Sequence, residues 1–249
     1  GPTFVQNEEG ALAAVQWQFN AWGNKYAPYT DDAAFATRLA EASQTKLYRA
    51  PLVCEGGAIH TDGEGTLITT EQCLLNTNRN PHLSRQQVEM RLALYTGARR
   101  IIWLGEGFTD EETDGHVDNI ACFAGPGRVL VGVPSSRSDP DFEPVMEAIR
   151  RLQEARDSEG RALEIVELEQ PRRTRSDWRG RPLATSYVNF YLPNDGIVMP
   201  AFDDANDERA RLVIADCFPG RDILQIDALD IVEGGGGIHC ITQQEPAGP

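Results

Sequence analysis

Near the end of the chain four consecutive glycines run into a histidine and a cysteine, EGGGGIHCITQQEP, from Glu233 to Pro246. The chemistry of that stretch centres on Cys240. A thiol with a reference pKa of about 8.5 becomes a nucleophile only where it meets substrate and its thiolate is stabilised. Glycines adopt positive φ and let backbone or ligand approach closely, so the run can carry a side chain into a crowded centre. The plain alternative is a small, buried, apolar cysteine beyond a turn. Phosphate-cradling loops share the glycines, but no Lys or helix start follows here.

A second constellation is DEETDGHVDN, Asp110 to Asn119, with carboxylates at Asp110, Glu111, Glu112, Asp114 and Asp118 around a lone imidazole, His116. On an extended backbone His116 and Asp118, two apart, face the same side, a proton carrier beside an anion for a cationic group. A solvated acidic loop is the bland reading, and His-x-Asp with further acids also suits Mn or Zn, although no second His has ligand-like spacing. Glu55 closes an apolar run in CEGGAIH, and its pattern Glu55–His60 returns as Glu233–His239. If the two segments are related by a repeat, Glu55 points to the same centre as Cys240; taken alone it reads as a turn cap. The aromatic stretch FNAWGNKYAPY can wall a pocket, with Trp22 as the candidate substrate contact, or simply pack in the core.

Repeated elements must position these residues. Extended segments such as GTLITTEQCLL, GRVLVGVPSS and GIVMPAF are each followed by a polar loop, a helix and a closing strand. The helices DDAAFATRLAEAS, LSRQQVEMRLALYTG, DFEPVMEAIRRLQEAR and NDERARLVIADCF carry apolar residues three and four apart, and Ser84 reads as an N-cap. The closing strands read as KLYRAPLVCEGG, RRIIWLGEG, ALEIVELEQ and DILQIDALDIVEGG. Four copies of strand, loop, helix, strand result, the first over Ala14–Gly57 and the last over Gly196–Gly235. The fold class expected is α/β with radial or solenoid packing, and the residues left over at both ends suggest a closed ring of five.

Composition narrows the partners. The 249 residues carry a formal charge of −15, which disfavours nucleic acid and anionic membranes and favours a cationic ligand. No apolar run approaches the ~20 residues of a membrane helix, and GPTFVQNEEG is not a signal peptide. Five cysteines without paired spacing argue against a disulfide framework and for a reducing, cytoplasmic setting; no C-x-x-C supports a zinc ribbon.

Six segments, GPTF, FNAWGNKYAPY, CEGGAIHTDGEGTLITTEQCLLNTNRNP, TDGHVDNIACF, SYVNFY and EGGGGIHCITQQEP, together resemble the agmatine deiminase branch of the guanidine-modifying enzymes, near the bacterial peptidylarginine deiminase type. They span nearly the whole chain in order. The resemblance implies a pentein-like five-fold propeller formed by one catalytic domain over residues 1–249, and a small guanidine substrate, agmatine, with no metal or other cofactor. It implies Cys240 as nucleophile, His116 as proton carrier, Glu55 as its partner, Asp118 as guanidinium ligand and Glu112 as contact for the distal amine. The family commonly has Asn where this chain has Gly237. It also carries an Asp-rich stretch with Trp and Arg upstream of GPTF, so the N-terminal repeat is expected to be incomplete, and a protein starting at Gly1 to be weakly active and prone to association. A homodimer is the expected assembly. The competing functions are deimination of peptidyl or free arginine, metal-dependent ureohydrolysis, and an inactive binding module of the same fold.

Overall fold

A computed structural model describes residues 1–109, 112–172, 175–177, 179–180 and 182–247. The first unit is the strands β1 (Thr3–Gln6) and β2 (Leu12–Gln18), a short turn α1 (Ala21–Asn24), helix α2 (Thr30–Ala42) and strand β3 (Lys46–Val53). β1 pairs antiparallel with β2, and β2 pairs parallel with β3 across the helix. The second unit repeats the plan with β4 (Ile59–Thr61), β5 (Thr66–Thr70), a helical turn α3 (Glu71–Leu74), α4 (Arg85–Thr96) and β6 (Arg100–Leu104). The third does so with β7 (Ala121–Gly125), β8 (Arg128–Val133), α5 (Phe142–Glu154) and β9 (Glu164–Glu169). The fourth has β10 (Gly196–Ala201), α6 (Asp207–Cys217) and β11 (Asp222–Asp227), parallel, with an antiparallel bridge from Tyr191 to Val198 where the other units have a strand. The four strand-helix-strand repeats read from the sequence are therefore present, in an α/β fold of four separate small sheets.

Each helix forms for local reasons and is then fixed by packing. α4 begins with a capping box: Ser84 Oγ accepts from the Gln87 amide while Gln87 Oε1 accepts from the Ser84 amide. It stops at Gly97, whose φ of +75° is the left-handed C-cap that glycine fills without strain. α4 packs on β3 of the preceding unit, and α5 and α6 likewise reach β6 and β9. The core is divided accordingly. Val88 and Leu92 join Leu52 and Leu67; Val145, Ile149 and Leu152 join Ile102, Leu104 and Val131; Ile214 joins Leu168, Ile197 and Met199. Each such buried side chain contributes about 1.5–3 kcal/mol. β8 reads as a near-continuous apolar run because a sheet covered on both faces leaves no polar side; β5 is buried throughout although three of its five residues are threonines, of which Thr69 and Thr70 donate to the Ala58 and Gly115 carbonyls.

Two segments differ from the expected elements. GTLITTEQCLL is a strand only to Thr70, whose hydroxyl caps the turn α3 by accepting from the Cys73 amide. DILQIDALDIVEGG is a strand only to Asp227, and Leu229–Glu233 forms the helical turn α7. In both, the apolar content that reads as strand is burial on one face of a single helical turn. A 3-10 turn is too short to show its period in the sequence, and that is the conformation of Val117–Asn119 and His239–Ile241.

Candidate active site

The chemistry-bearing residues lie where successive units end. Glu55 follows β3, His116 and Asp118 follow β6, Asn189 follows β9, and Cys240 follows β11 and α7. His116 and Asp118 do converge, but not because the backbone is extended: Val117–Asn119 is a 3-10 turn, and the two side chains meet over Gly57. A Cβ built on Gly57 would lie 2.6 Å from His116 Nδ1 and 2.7 Å from Asp118 Oδ2. Glycine is the residue that fits there.

Cys240 is exposed, whereas Cys54, Cys73, Cys122 and Cys217 are buried; all five are free thiols. Its Sγ lies 3.4 Å from Asp118 Oδ2 and receives the Asn189 amide at 3.4 Å. Burial of the sulfur and the Asp118 charge push the thiol well above its ordinary pKa, against bonds from the Gly237 amide and Asn189. The glycine run makes room here. A Cβ on Gly236 would fall 2.9 Å from Cys240 Cβ, and one on Gly237 2.3 Å from Asn189 Oδ1. Asn189 thus occupies the volume beside Gly237, and it also ties the site together: its amide donates to Asn119 Oδ1 at 2.9 Å and to the Asp118 carbonyl, and its Oδ1 accepts from the His239 amide.

Asp118 is buried. Its Oδ2 lies 2.9 Å from His239 Nδ1, and its Oδ1 has no hydrogen-bond partner among the described residues. Burial alone would raise its pKa; the bond and charge of His239, with His116 and Cys240, prevail and hold the carboxyl below its usual range. The two histidines of the related segments, His60 and His239, meet with ring centroids 6.0 Å apart, so the sequence echo marks true neighbours.

Behind the imidazole, His116 Nε2 stands 3.5 Å from Glu55 Oε2, the outer limit of a hydrogen bond. Burial alone would lower the His116 pKa, yet interactions with Cys73, Glu55 and Asp118 carry it well above the ordinary value. Glu55 is buried too, and although burial raises its pKa, His116 and Arg79 bring it below the usual range. Arg79, a fully buried guanidinium, donates from Nε to Glu55 Oε1 at 2.8 Å, from Nη1 to Asp114 and from Nη2 to the Thr113 carbonyl.

Glu112 reaches the glycine turn: a Cβ on Gly235 would lie 2.8 Å from its Oε2. Asp110 and Glu111 lie outside the described residues. Trp22 adopts φ +52° and packs edge-on with Phe19 (5.1 Å) and Tyr26 (5.9 Å). Its loop joins the site at one remove, through Gly23 against Arg79 and Asn78 and through Lys25, which donates to the Glu112 carbonyl and pairs with Asp114. Sequence reasoning missed Arg79 and Asn189 as site residues. Their signal lay in SYVNFY, where Asn189 stands between Val188 and Phe190, and in NTNRNP, where Arg79 is a lone cation among amides.

This arrangement suits covalent chemistry on a planar cation: a thiol, a carboxylate with a free oxygen, and an imidazole backed by a second carboxylate. The protein-family model for Porphyromonas-type peptidyl-arginine deiminase matches residues 1–246. A Legionella pneumophila (strain Paris) protein is 48% identical over 247 residues, covering 99% of this chain and 71% of its own length. Agmatine deiminase of Pseudomonas aeruginosa (strain LESB58) is 44% identical over 273 residues, covering 99% and 73%. Among solved structures, agmatine deiminase of Enterococcus faecalis superposes with a TM-score of 0.94 at 38% identity, covering 99% of this chain and 73% of that one. A cysteine-to-serine variant of C. jejuni agmatine deiminase with substrate bound gives 0.88 at 29%, covering 96% and 70%. The chain belongs to the Porphyromonas-type peptidyl-arginine deiminase family.

Proposed function

We propose that the protein hydrolyses agmatine to N-carbamoylputrescine and ammonia through a covalent Cys240 intermediate. The observation that carries this reading is the buried Asp118 carboxylate, whose Oδ1 has no donor among the described residues while its Oδ2 lies 3.4 Å from Cys240 Sγ. A guanidinium bound to that carboxylate presents its central carbon to the sulfur. Because the substrate is a cation, its arrival offsets the Asp118 charge and lowers the thiol pKa at the moment the thiolate is needed.

As the cation binds, the Cys240 thiol releases its proton to solvent; the Sγ thiolate attacks the guanidinium carbon, and the C–N bond to the departing amine breaks as the His116 imidazolium delivers a proton, releasing ammonia. Water, deprotonated by His116, then adds to the S-alkylthiouronium carbon; the C–S bond breaks and the ureido product leaves. Nδ1 is the His116 atom on the Asp118 side, while Nε2 faces Glu55, whose charge stabilises the imidazolium that precedes ammonia release and returns when water is deprotonated. Glu112, beside the Gly235 turn, takes the distal ammonium of agmatine, and Trp22 with its aromatic neighbours walls the approach. Asn189 holds the Cys240 sulfur in place. The reading includes residues 1–249 as one catalytic domain and its units as members of a five-fold αβ propeller, working as a homodimer in the cytoplasm; the packing of α4, α5 and α6 each on a strand of the preceding unit supports the ring.

Product identification tests the function. Incubation with agmatine should release ammonia and a species of N-carbamoylputrescine mass. Urea plus a diamine would contradict it, and a higher kcat/KM for arginine or an arginine peptide would reassign the substrate.

A further inference from the structure

The proposed reaction uses Cys240 and leaves Cys73 without a task. Cys73 lies in the turn α3, fully buried, with its Sγ 4.0 Å from Glu55 Oε2. It therefore stands on the far side of the His116 ring from Asp118. Glu55, Cys73 and His116 each offer a ligand atom there, and these atoms all lie within 4.8 Å of one another. Independently, His116 Nε2 is buried and has no hydrogen-bond partner among the described residues, with Glu55 Oε2 at 3.5 Å. A nitrogen placed so is an unused donor facing a thiol and a carboxylate.

We propose that Glu55 Oε2, Cys73 Sγ and His116 Nε2 form an inhibitory zinc site behind the reacting centre. The spacing supports it. Bonds of about 2.0–2.3 Å in a tetrahedron put neighbouring ligand atoms roughly 3.3–3.7 Å apart. The observed 3.5 Å and 4.0 Å need a shift of only a few tenths of an ångström. Charge supports it as well: Glu55 carboxylate and Cys73 thiolate balance a divalent ion around a neutral imidazole. Arg79 occupies Glu55 Oε1 and leaves Oε2 to bind in monodentate fashion. One thiolate, one imidazole and one carboxylate select zinc over the hard cations magnesium and calcium. On binding, Zn–S, Zn–N and Zn–O bonds form, the Cys73 S–H and His116 Nε2–H bonds break and both protons pass to solvent; water completes the fourth position.

Inhibition, though not binding, rests on the reading of His116 as proton carrier. A metal on Nε2 replaces the Glu55 interaction that stabilises the imidazolium, so Nδ1 can no longer take and return a proton. The reacting thiol itself stays free, which separates this site from a metal held by Cys240.

The test uses the whole protein and its Cys73→Ala, Cys73→Ser and Cys240→Ala variants, each freed of metal and dialysed, in separate samples, against zinc or against cobalt(II). The wild type and Cys240→Ala should retain equimolar zinc and show the near-ultraviolet thiolate-to-cobalt band. Either Cys73 variant should lose the band and bind zinc at least ~10-fold more weakly. In the wild type, zinc should abolish ammonia release and a chelator restore it. If both Cys73 variants misfold, zinc and the cobalt band in Cys240→Ala still decide. A band that persists without Cys73 and disappears without Cys240, or no retained zinc, overturns the proposal. Zinc retained by a protein with no agmatine turnover upholds the site and refutes the proposed reaction instead.

Discussion

Asp118 Oδ2 lies 3.4 Å from the Cys240 sulfur, so the proposed nucleophile is held against an anion rather than beside a cation. The thiol is thereby kept protonated in the free protein and is expected to ionise when a cationic substrate enters between the two. Asp118→Asn should therefore separate reactivity from catalysis. Alkylation by neutral iodoacetamide near pH 8 should become faster than in the wild type, because the charge that raises the thiol pKa is gone. Turnover of agmatine should fall roughly 10–100-fold or more, the value of a charge-assisted hydrogen bond. Slower alkylation in the variant would show that the carboxylate does not restrain the thiol.

Gly57 is the floor on which His116 and Asp118 meet. With a methyl group forced to 2.6 Å and 2.7 Å from their polar atoms, Gly57→Ala must displace one of them. Misplacement near 1 Å costs on the order of 100-fold in rate. The expected outcome is a large loss of kcat/KM with an unchanged circular dichroism spectrum and thermal midpoint within a few degrees. Retained activity would mean that the two side chains reposition freely.

Arg79 offers a stability test. Arg79→Met leaves Glu55 and the Thr113 carbonyl without their buried partner. Breaking a buried ion pair from one side costs about 3–5 kcal/mol, and urea denaturation should show a midpoint shift of that size. Arg79→Lys should recover part of it, since the charge returns but the planar fork that serves Glu55, Asn78, Asp114 and the Thr113 carbonyl does not. A midpoint unchanged in Arg79→Met would show that Glu55 finds other compensation.

His60 predicts a pH dependence. It accepts the Phe123 amide through Nδ1, and burial together with the nearby His239 depresses its pKa to about 3 despite the opposing charge of Asp118. The unfolded chain titrates near pH 6.5, so between about 6.5 and 3 it takes up a proton that the folded protein refuses. Stability then falls with falling pH through that window, at about 1.4 kcal/mol per unit, and is unaffected by this group above it. Between pH 7.5 and pH 5, His60→Gln should lose about 2 kcal/mol less than the wild type in urea denaturation. A constant difference between the two proteins across that range would refute the assignment.

Much of the frame was legible because it is written locally. Ser84, Gln87 and Gly97 mark both ends of α4, and the apolar spacing of α5 survives in Val145, Ile149 and Leu152. The echo of EGGAIH in EGGGGIH marks two segments whose histidines, His60 and His239, lie side by side in the fold. What stayed hidden depends on distant partners. Cys73 reads as a core residue until Glu55 and His116 are seen against it, and Asn189 gains meaning only from Cys240, fifty-one residues on. His116 and Asp118 were paired on the premise of an extended backbone; they meet through a 3-10 turn instead, since their glycine floor comes from another unit.

The placement of one group at the end of each unit makes turnover a conjunction. Glu55, the pair His116 and Asp118, Asn189 and Cys240 come from four different strand-helix-strand repeats, each with its own small sheet. Stability in such modular chains is the sum of unit and neighbour terms, so one module can open while the rest hold. Spectroscopic signals fade in proportion to what has melted, but the reaction stops at the first module to open. The catalytic rate therefore acts as a gauge of the weakest quarter of the molecule, and in rising urea it should vanish before the bulk of the secondary structure does.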